Sequence, residues 1–171
     1  MSDIVLQKNL GALIDVKALS NALSWTAGGG ADNAAFTGLT IDREGFSTGS
    51  LPRSADIDVF FTATLAATHT LSLALTLNSS PDGSTWTALA TQTATVVATG
   101  PSGGGTVEGV LRMTPPSADN PSNIPGVNLG SAQRFLQLVV TPHLSAGSVD
   151  TAIIAGIGVF GGFDQLAAPT N

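Results

Sequence analysis

The chain has 171 residues, of which 43% are hydrophobic and only 11% charged, with a net charge of −6 and no cysteine. That is enough length for one domain with a proper core. The six basic residues, Lys8, Lys17, Arg43, Arg53, Arg112 and Arg134, are scattered, so the counterion release that drives nucleic-acid binding has no source, and the lack of cysteine excludes disulfides, thiolate metal sites and a cysteine nucleophile.

In the N-terminal stretch, Asp3, Lys8 and Asp15 interrupt the apolar centre that a signal peptide needs, and an unsecreted chain is expected. Residues 1–33 show no clear alternation. Val16, Leu19 and Leu23 after Asp15 suit one short helix or an extended arm equally well, and Gly28-Gly29-Gly30-Ala31-Asp32-Asn33 is expected to be a joint between this irregular arm and the body.

From Ala34 the pattern is that of strands. Phe36, Leu39 and Ile41 mark the first, which breaks at Asp42-Arg43-Glu44-Gly45; Phe46 to Ser50 follow, and Pro52 punctuates. Ile57, Val59, Phe61, Ala63 and Leu65 then alternate with Asp56, Asp58, Phe60, Thr62 and Thr64, a central strand expected to pair near the next one. In that next strand Leu71, Leu73, Leu75 and Leu77 alternate with small polar residues, the period of two that sends every second side chain to one face. Asn78-Ser79-Ser80-Pro81-Asp82-Gly83 turns the chain back, and Ser84 to Leu89 return it, which makes a β-hairpin.

Thr91 to Thr99 is strand-like, Gly100 to Gly105 is a loop, and Val107, Gly109 and Leu111 alternate in a strand that Pro115-Pro116 ends. Pro115 to Gly130 holds four prolines and is the longest irregular stretch. Arg134 to Pro142 and Val149 to Phe163 are two last strands; the uncharged apolar run within the second, Thr151 to Phe163, is too short and too rich in glycine to be a membrane helix of about 20 apolar residues. The expected fold is all-β, an antiparallel β-sandwich, jelly-roll-like, of about eight strands, with an irregular N-terminal arm. An immunoglobulin-like sandwich is the alternative. The expected division is 1–33 arm and joint, 34–163 sandwich, and 164–171 tail.

Chemistry is sparse. His69 and His143, the two histidines, would each need carboxylates or a hydroxyl from elsewhere to form a metal site or a triad. Asp56 and Asp58 stand at i and i+2, hence on one strand face, where a carboxylate pair or cation site competes with a solvated strand end whose like charges discourage edge pairing. Asp42-Arg43-Glu44 is a polar turn, or an anchor through the Arg fork. Neither glycine triplet is followed by Lys-Ser/Thr, so neither is a phosphate loop. Ser80 to Trp86 resembles the Asp-box turn of sialidase-type propellers. Here, however, Gly83 follows Asp82 directly, Trp86 comes four residues after it, and the motif occurs once, so the expectation is a turn stabilised by Asp82. No catalytic residue, cofactor or metal is assigned.

Gly38-Leu39-Thr40-Ile41-Asp42-Arg43, the strand Ile57 to Leu65, the leucine strand into Ser79-Ser80-Pro81-Asp82-Gly83-Ser84-Thr85-Trp86, Arg134-Phe135-Leu136-Gln137-Leu138 and Gly161-Gly162-Phe163-Asp164 together resemble small structural proteins of tailed bacteriophages. The resemblance is to capsid cement, or decoration, proteins with a jelly-roll fold, and covers roughly residues 34 to 166. It implies a virion structural protein, a homotrimer on the capsid surface that clamps the major capsid protein and is assembled in the host cytoplasm. Apolar residues in otherwise irregular segments, Ile4, Val5, Leu6, Leu10, Ile124 and Leu166, are the expected partner contacts. No nucleic acid and no membrane is expected among the partners. The alternative is a tail or fibre module binding carbohydrate or another tail protein, for which only two tryptophans and no tyrosine are at hand.

Overall fold

Alternating side chains build two sheets around one core. The computed structural model describes residues 14–46, 51–115, 125–145 and 149–163. Among these lie ten strands: β1 (Asp15–Ala18), β2 (Leu23–Thr26), β3 (Phe36–Asp42), β4 (Ser54–Leu65), β5 (Thr70–Ser80), β6 (Thr87–Thr99), β7 (Gly105–Arg112), β8 (Val127–Asn128), β9 (Phe135–Leu144) and β10 (Thr151–Gly161). One sheet runs β1-β10-β4-β7, with β2 also on β10 and β8 also on β4; the other runs β3-β9-β5-β6, and every pairing is antiparallel.

With β1 and β2 counted as one interrupted strand and β8 set aside, eight strands remain in the order 1-8-3-6 over 2-7-4-5. That is the jelly roll, two Greek keys wrapped into a sandwich. It also excludes the expected neighbourhood of β4 and β5: the chain crosses between sheets at residues 66–69, so β4 pairs with β10 and β7 while β5 pairs with β9 and β6. Both strands bury one face, and periodicity alone does not say against which sheet.

The core matches the alternation closely. Ile57, Val59, Phe61, Ala63 and Leu65 of β4 and Leu71, Leu73, Leu75 and Leu77 of β5 are buried, facing Leu136, Leu138, Val140, Ala152, Ile154 and Phe160 from β9 and β10. Each such large side chain contributes about 1.5–3 kcal/mol on leaving water. The hairpin is as expected, except that the returning strand is a single β6 from Thr87 to Thr99, bent by three register shifts against β5.

The N-terminal stretch differs from the irregular arm expected through residue 33. β1 and β2 pair in succession along β10, Leu19 between them is fully buried, and Trp25 sits in the core. Strands of four residues are too short to display a period, and Leu23-Ser24-Trp25-Thr26 shows only two apolar positions. The glycine triplet that follows is a bonded turn. Gly29 N donates to Thr26 O (3.0 Å), Gly28 N to Asp32 Oδ2 (2.9 Å) and Asn33 N to Pro142 O (2.8 Å).

The two long flanks of the sandwich are unlike each other. On one, Leu39 N of β3 donates to Leu19 O (2.7 Å), a direct bond between the layers. A Cβ at Gly38 there would stand 2.2 Å from Leu19 O and 2.8 Å from Leu138 O, so only glycine lets the layers close. On the other flank, β6 and β7 are bridged through Gln92, whose Oε1 accepts from Thr114 N (2.9 Å).

Candidate functional site

Asp56, Asp58, Asp42, Arg43 and Glu44, singled out from the sequence, all have partners. Asp56 and Asp58 project from the outer face of β4 beside Arg112 of β7, in register opposite Asp58. Arg112 Nε donates to Asp58 Oδ1 (3.2 Å) and Nη2 to Asp56 Oδ2. The two carboxylates raise the guanidinium pKa, Asp56 contributing most. The guanidinium spans both carboxylates and so takes the place that a cation would fill.

At the same pole of the sandwich, Arg134 forks onto Asp42, Nη2 to Oδ2 at 2.7 Å and Nε to Oδ1 at 3.1 Å, and its Nη1 reaches Glu44 Oε2 at 3.1 Å. This bond, with a smaller contribution from Glu44 N, holds the Asp42 carboxyl below the usual range. Arg43 points inward instead. Its Nη2 donates to Pro52 O (2.8 Å) and Leu129 O (3.1 Å), and its Nη1 to Gln133 O (3.1 Å) and Ala132 O. It latches the segments around 52 and 129–133 together, and burial lowers its pKa, with Arg53 adding to the effect. The sequence offered Asp42-Arg43-Glu44 as one polar turn; in the structure its middle residue is a core strut.

Both histidines lie at the opposite pole. His69 Nδ1 stands 2.6 Å from Asp150 Oδ2, and Asp150, fully buried, also accepts from Ala66 N (2.8 Å). His143 Nδ1 lies 3.5 Å from Asp32 Oδ1, which accepts from Leu144 N (2.9 Å). Burial raises the Asp32 pKa, but the bonds from Gly28 and Leu144 and the pull of His143 outweigh it, and the net shift is downward. These pairs tie loops to strand ends. Asp150 and Asp32 were missed in the sequence because each sits in a loop far along the chain from its histidine. Among the described residues no group of three or more His, Cys, Asp or Glu is placed to hold a metal ion.

The Ser80–Trp86 turn is built on Asp82. Its Oδ1 accepts from Ser84 N (2.9 Å), Thr85 N (2.8 Å) and Ser80 Oγ (2.9 Å), and these bonds, the backbone ones foremost, push its carboxyl far below the usual range. Gly83 takes a φ of +74° to complete the turn.

What is left for recognition is surface with little titratable chemistry, Glu108 being, among the described residues, the single titratable one that lines it. On the outer face of the larger sheet, Phe60, Val110 and Ile153 are 46%, 47% and 49% exposed. Phe60 stands between Ala155 of β10 and Val110 of β7, one register row from Asp58 and Arg112 and one from Thr62 and Glu108. The row edges an open depression of about 560 Å³ floored by this sheet. None of the three was expected as a contact from the sequence; the signal that marks Phe60 is its place as the one large apolar residue on the polar phase of its strand, and Ile153 lies within an apolar run. The expected contacts Ile4, Val5, Leu6, Leu10, Ile124 and Leu166 lie outside the described residues.

The chain is thus a jelly-roll β-sandwich whose larger sheet carries an apolar cluster on its outer face. No family model and no curated protein matches the sequence. Solved structures that it resembles include infectious bursal disease virus, Gx strain, at 13% identity and a TM-score of 0.47, over 91% of this chain and 34% of that one. Another is the PBSX exported protein XepA, at 16% identity and a TM-score of 0.40, over 92% of this chain and 40% of the other. A third is dimeric latent PorU from Porphyromonas gingivalis, at 12% and 0.45, over 92% and 14%. Likenesses this distant carry no functional assignment.

Proposed function

We propose that this chain is a virion structural protein, a capsid cement or decoration subunit that binds and stabilises a major capsid shell as a homo-oligomer. The observation that supports the reading most is the outer sheet face: Phe60, Val110 and Ile153 are exposed together in a chain that is otherwise poor in charge. An exposed apolar cluster on a folded domain marks a contact surface. Beside it Asp56 and Asp58 are engaged with Arg112, which favours adhesion over catalysis there. Three copies per assembly and a place on the capsid surface are what the resemblance to phage cement proteins implies. In this reading Ile4, Val5, Leu6, Leu10, Ile124 and Leu166 add contacts from the terminal segments and the proline-rich stretch, and many weak contacts are summed over a repeating shell.

The test is co-sedimentation. Purified chain added to shells stripped of it should pellet with them, and Phe60→Glu should leave it in the supernatant while preserving the fold. Failure of the unmodified chain to pellet overturns the reading. Carbohydrate binding by a tail or fibre module gains no support from tryptophan, since Trp25 is in the core and Trp86 is half-buried beside its turn.

A further inference from the structure

We propose that β7 pairs antiparallel with β7 of a second copy of this chain, about a two-fold axis at Val110, so that the larger sheet continues from one copy into the next.

The two sheets present four edges. On the larger sheet, one edge is made of β1 and β2, only four residues each. On the smaller sheet, β3 is interrupted by a register shift and gives Leu39 N to Leu19 O, and β6 is bent by three register shifts. Short strands, bulges and covered backbone are the ways in which folded proteins blunt their edges. The remaining edge, β7, has none of them. Its eight residues pair with β4 in unbroken register and contain neither lysine nor proline.

The direction of its free groups is fixed. Met113 N donates inward to Ile57 O (2.8 Å), whereas Thr114 N donates away from β4, to Gln92 Oε1. Backbone groups alternate along a strand, so those of Thr106, Glu108, Val110 and Arg112 point off the sheet, where no strand of the described chain pairs with them. Gly109 and Val110 at the middle of this edge are exposed.

The sequence there complements itself. In Glu108-Gly109-Val110-Leu111-Arg112 the opposite charges stand symmetrically about Val110. Antiparallel pairing centred on Val110 sets the outward groups face to face and places Glu108 opposite Arg112 of the second copy, twice. Sliding the strands by two residues sets one of these charges against Val110 instead. Arg112 uses Nε and Nη2 for Asp58 and Asp56, which leaves Nη1 for the incoming carboxylate. Val110 would then meet Val110, with Phe60 beside each, so the apolar row runs unbroken across both copies. An isologous contact of this kind joins two copies only. It does not depend on shell binding: a chain that pairs without pelleting with shells keeps this inference and loses the proposed function.

The absence of cysteine makes the test direct. Val110→Cys in the full chain, treated with a mild oxidant, should give a disulfide-linked dimer, and Ile153→Cys, equally exposed on the same face, should not. Sedimentation should show association of the unmodified chain, weakened about tenfold by Glu108→Lys, the loss of two exposed ion pairs and their replacement by repulsion. That substitution makes the net charge less negative, so general repulsion between copies would change in the opposite sense. Circular dichroism confirms that the variants fold. A chain that stays monomeric, a trimer in which Val110→Cys fails to link, equal linking at both cysteine positions, or association unaffected by Glu108→Lys each overturns the proposal.

Discussion

Replacing Arg43 by methionine, which keeps the length of the side chain but removes its donors, should destabilise the fold by about 2–4 kcal/mol. The two opposing effects can be weighed. Burial of the guanidinium without a carboxylate partner costs several kcal/mol, and its lowered pKa has the same cause. Against this stand bonds to the carbonyls of Pro52, Leu129, Ala132 and Gln133. Each bond from a charged donor contributes about 1.5–3 kcal/mol, so together they exceed the cost. Methionine relieves the charge burial but leaves those carbonyls without their donor. For a chain of this size the loss corresponds to a fall of roughly 5–15 °C in thermal midpoint. Calorimetry, with chemical denaturation for the free energy, measures it. A methionine variant as stable as the unmodified protein, or more stable, would mean that desolvation wins and that Arg43 is no strut.

Gly38→Ala should destabilise by at least about 2 kcal/mol, because the added methyl meets two backbone carbonyls that have nowhere to move, and a thermal midpoint unchanged by it would refute the closed flank. The depressed carboxyls of Asp82, Asp42 and Asp32 contribute stability that is complete above their unfolded value near pH 4 and lost as pH falls toward their folded values. Asp82→Asn should therefore flatten the acid limb of a plot of thermal midpoint against pH and leave its slope near neutrality alone. Deleting residues 1–13 should leave a folded chain with weakened shell binding. Deletion through residue 24 removes β1 and the fully buried Leu19 and should prevent folding, as read by far-ultraviolet circular dichroism.

Where alternation was long, the sequence was sufficient. β4 and β5 bury the residues that their period of two selected, and the hairpin turns at Asp82 as its chemistry requires. Sheet membership was not legible, since a strand that is greasy on one face fits either layer, and β4 and β5 prove to lie in different ones. Nor was the role of Arg43, because nothing local distinguishes an arginine that solvates a turn from one that enters the core to meet carbonyls some ninety residues away. For the recognition surface, Phe60 gave a signal as an aromatic on the polar phase of its strand. Val110 and Ile153 join it only through strand register, which is a property of the folded sheet.

The measurement that bears most directly on the proposed role is the copy number of this chain in intact particles. Particles sedimented from a lysate containing the native protein would be quantified by mass spectrometry for this chain against the major shell protein. A near-stoichiometric ratio is the expected result for a subunit that cements the shell. A few copies per particle would move the chain to the tail, and its absence from particles would contradict the structural role altogether.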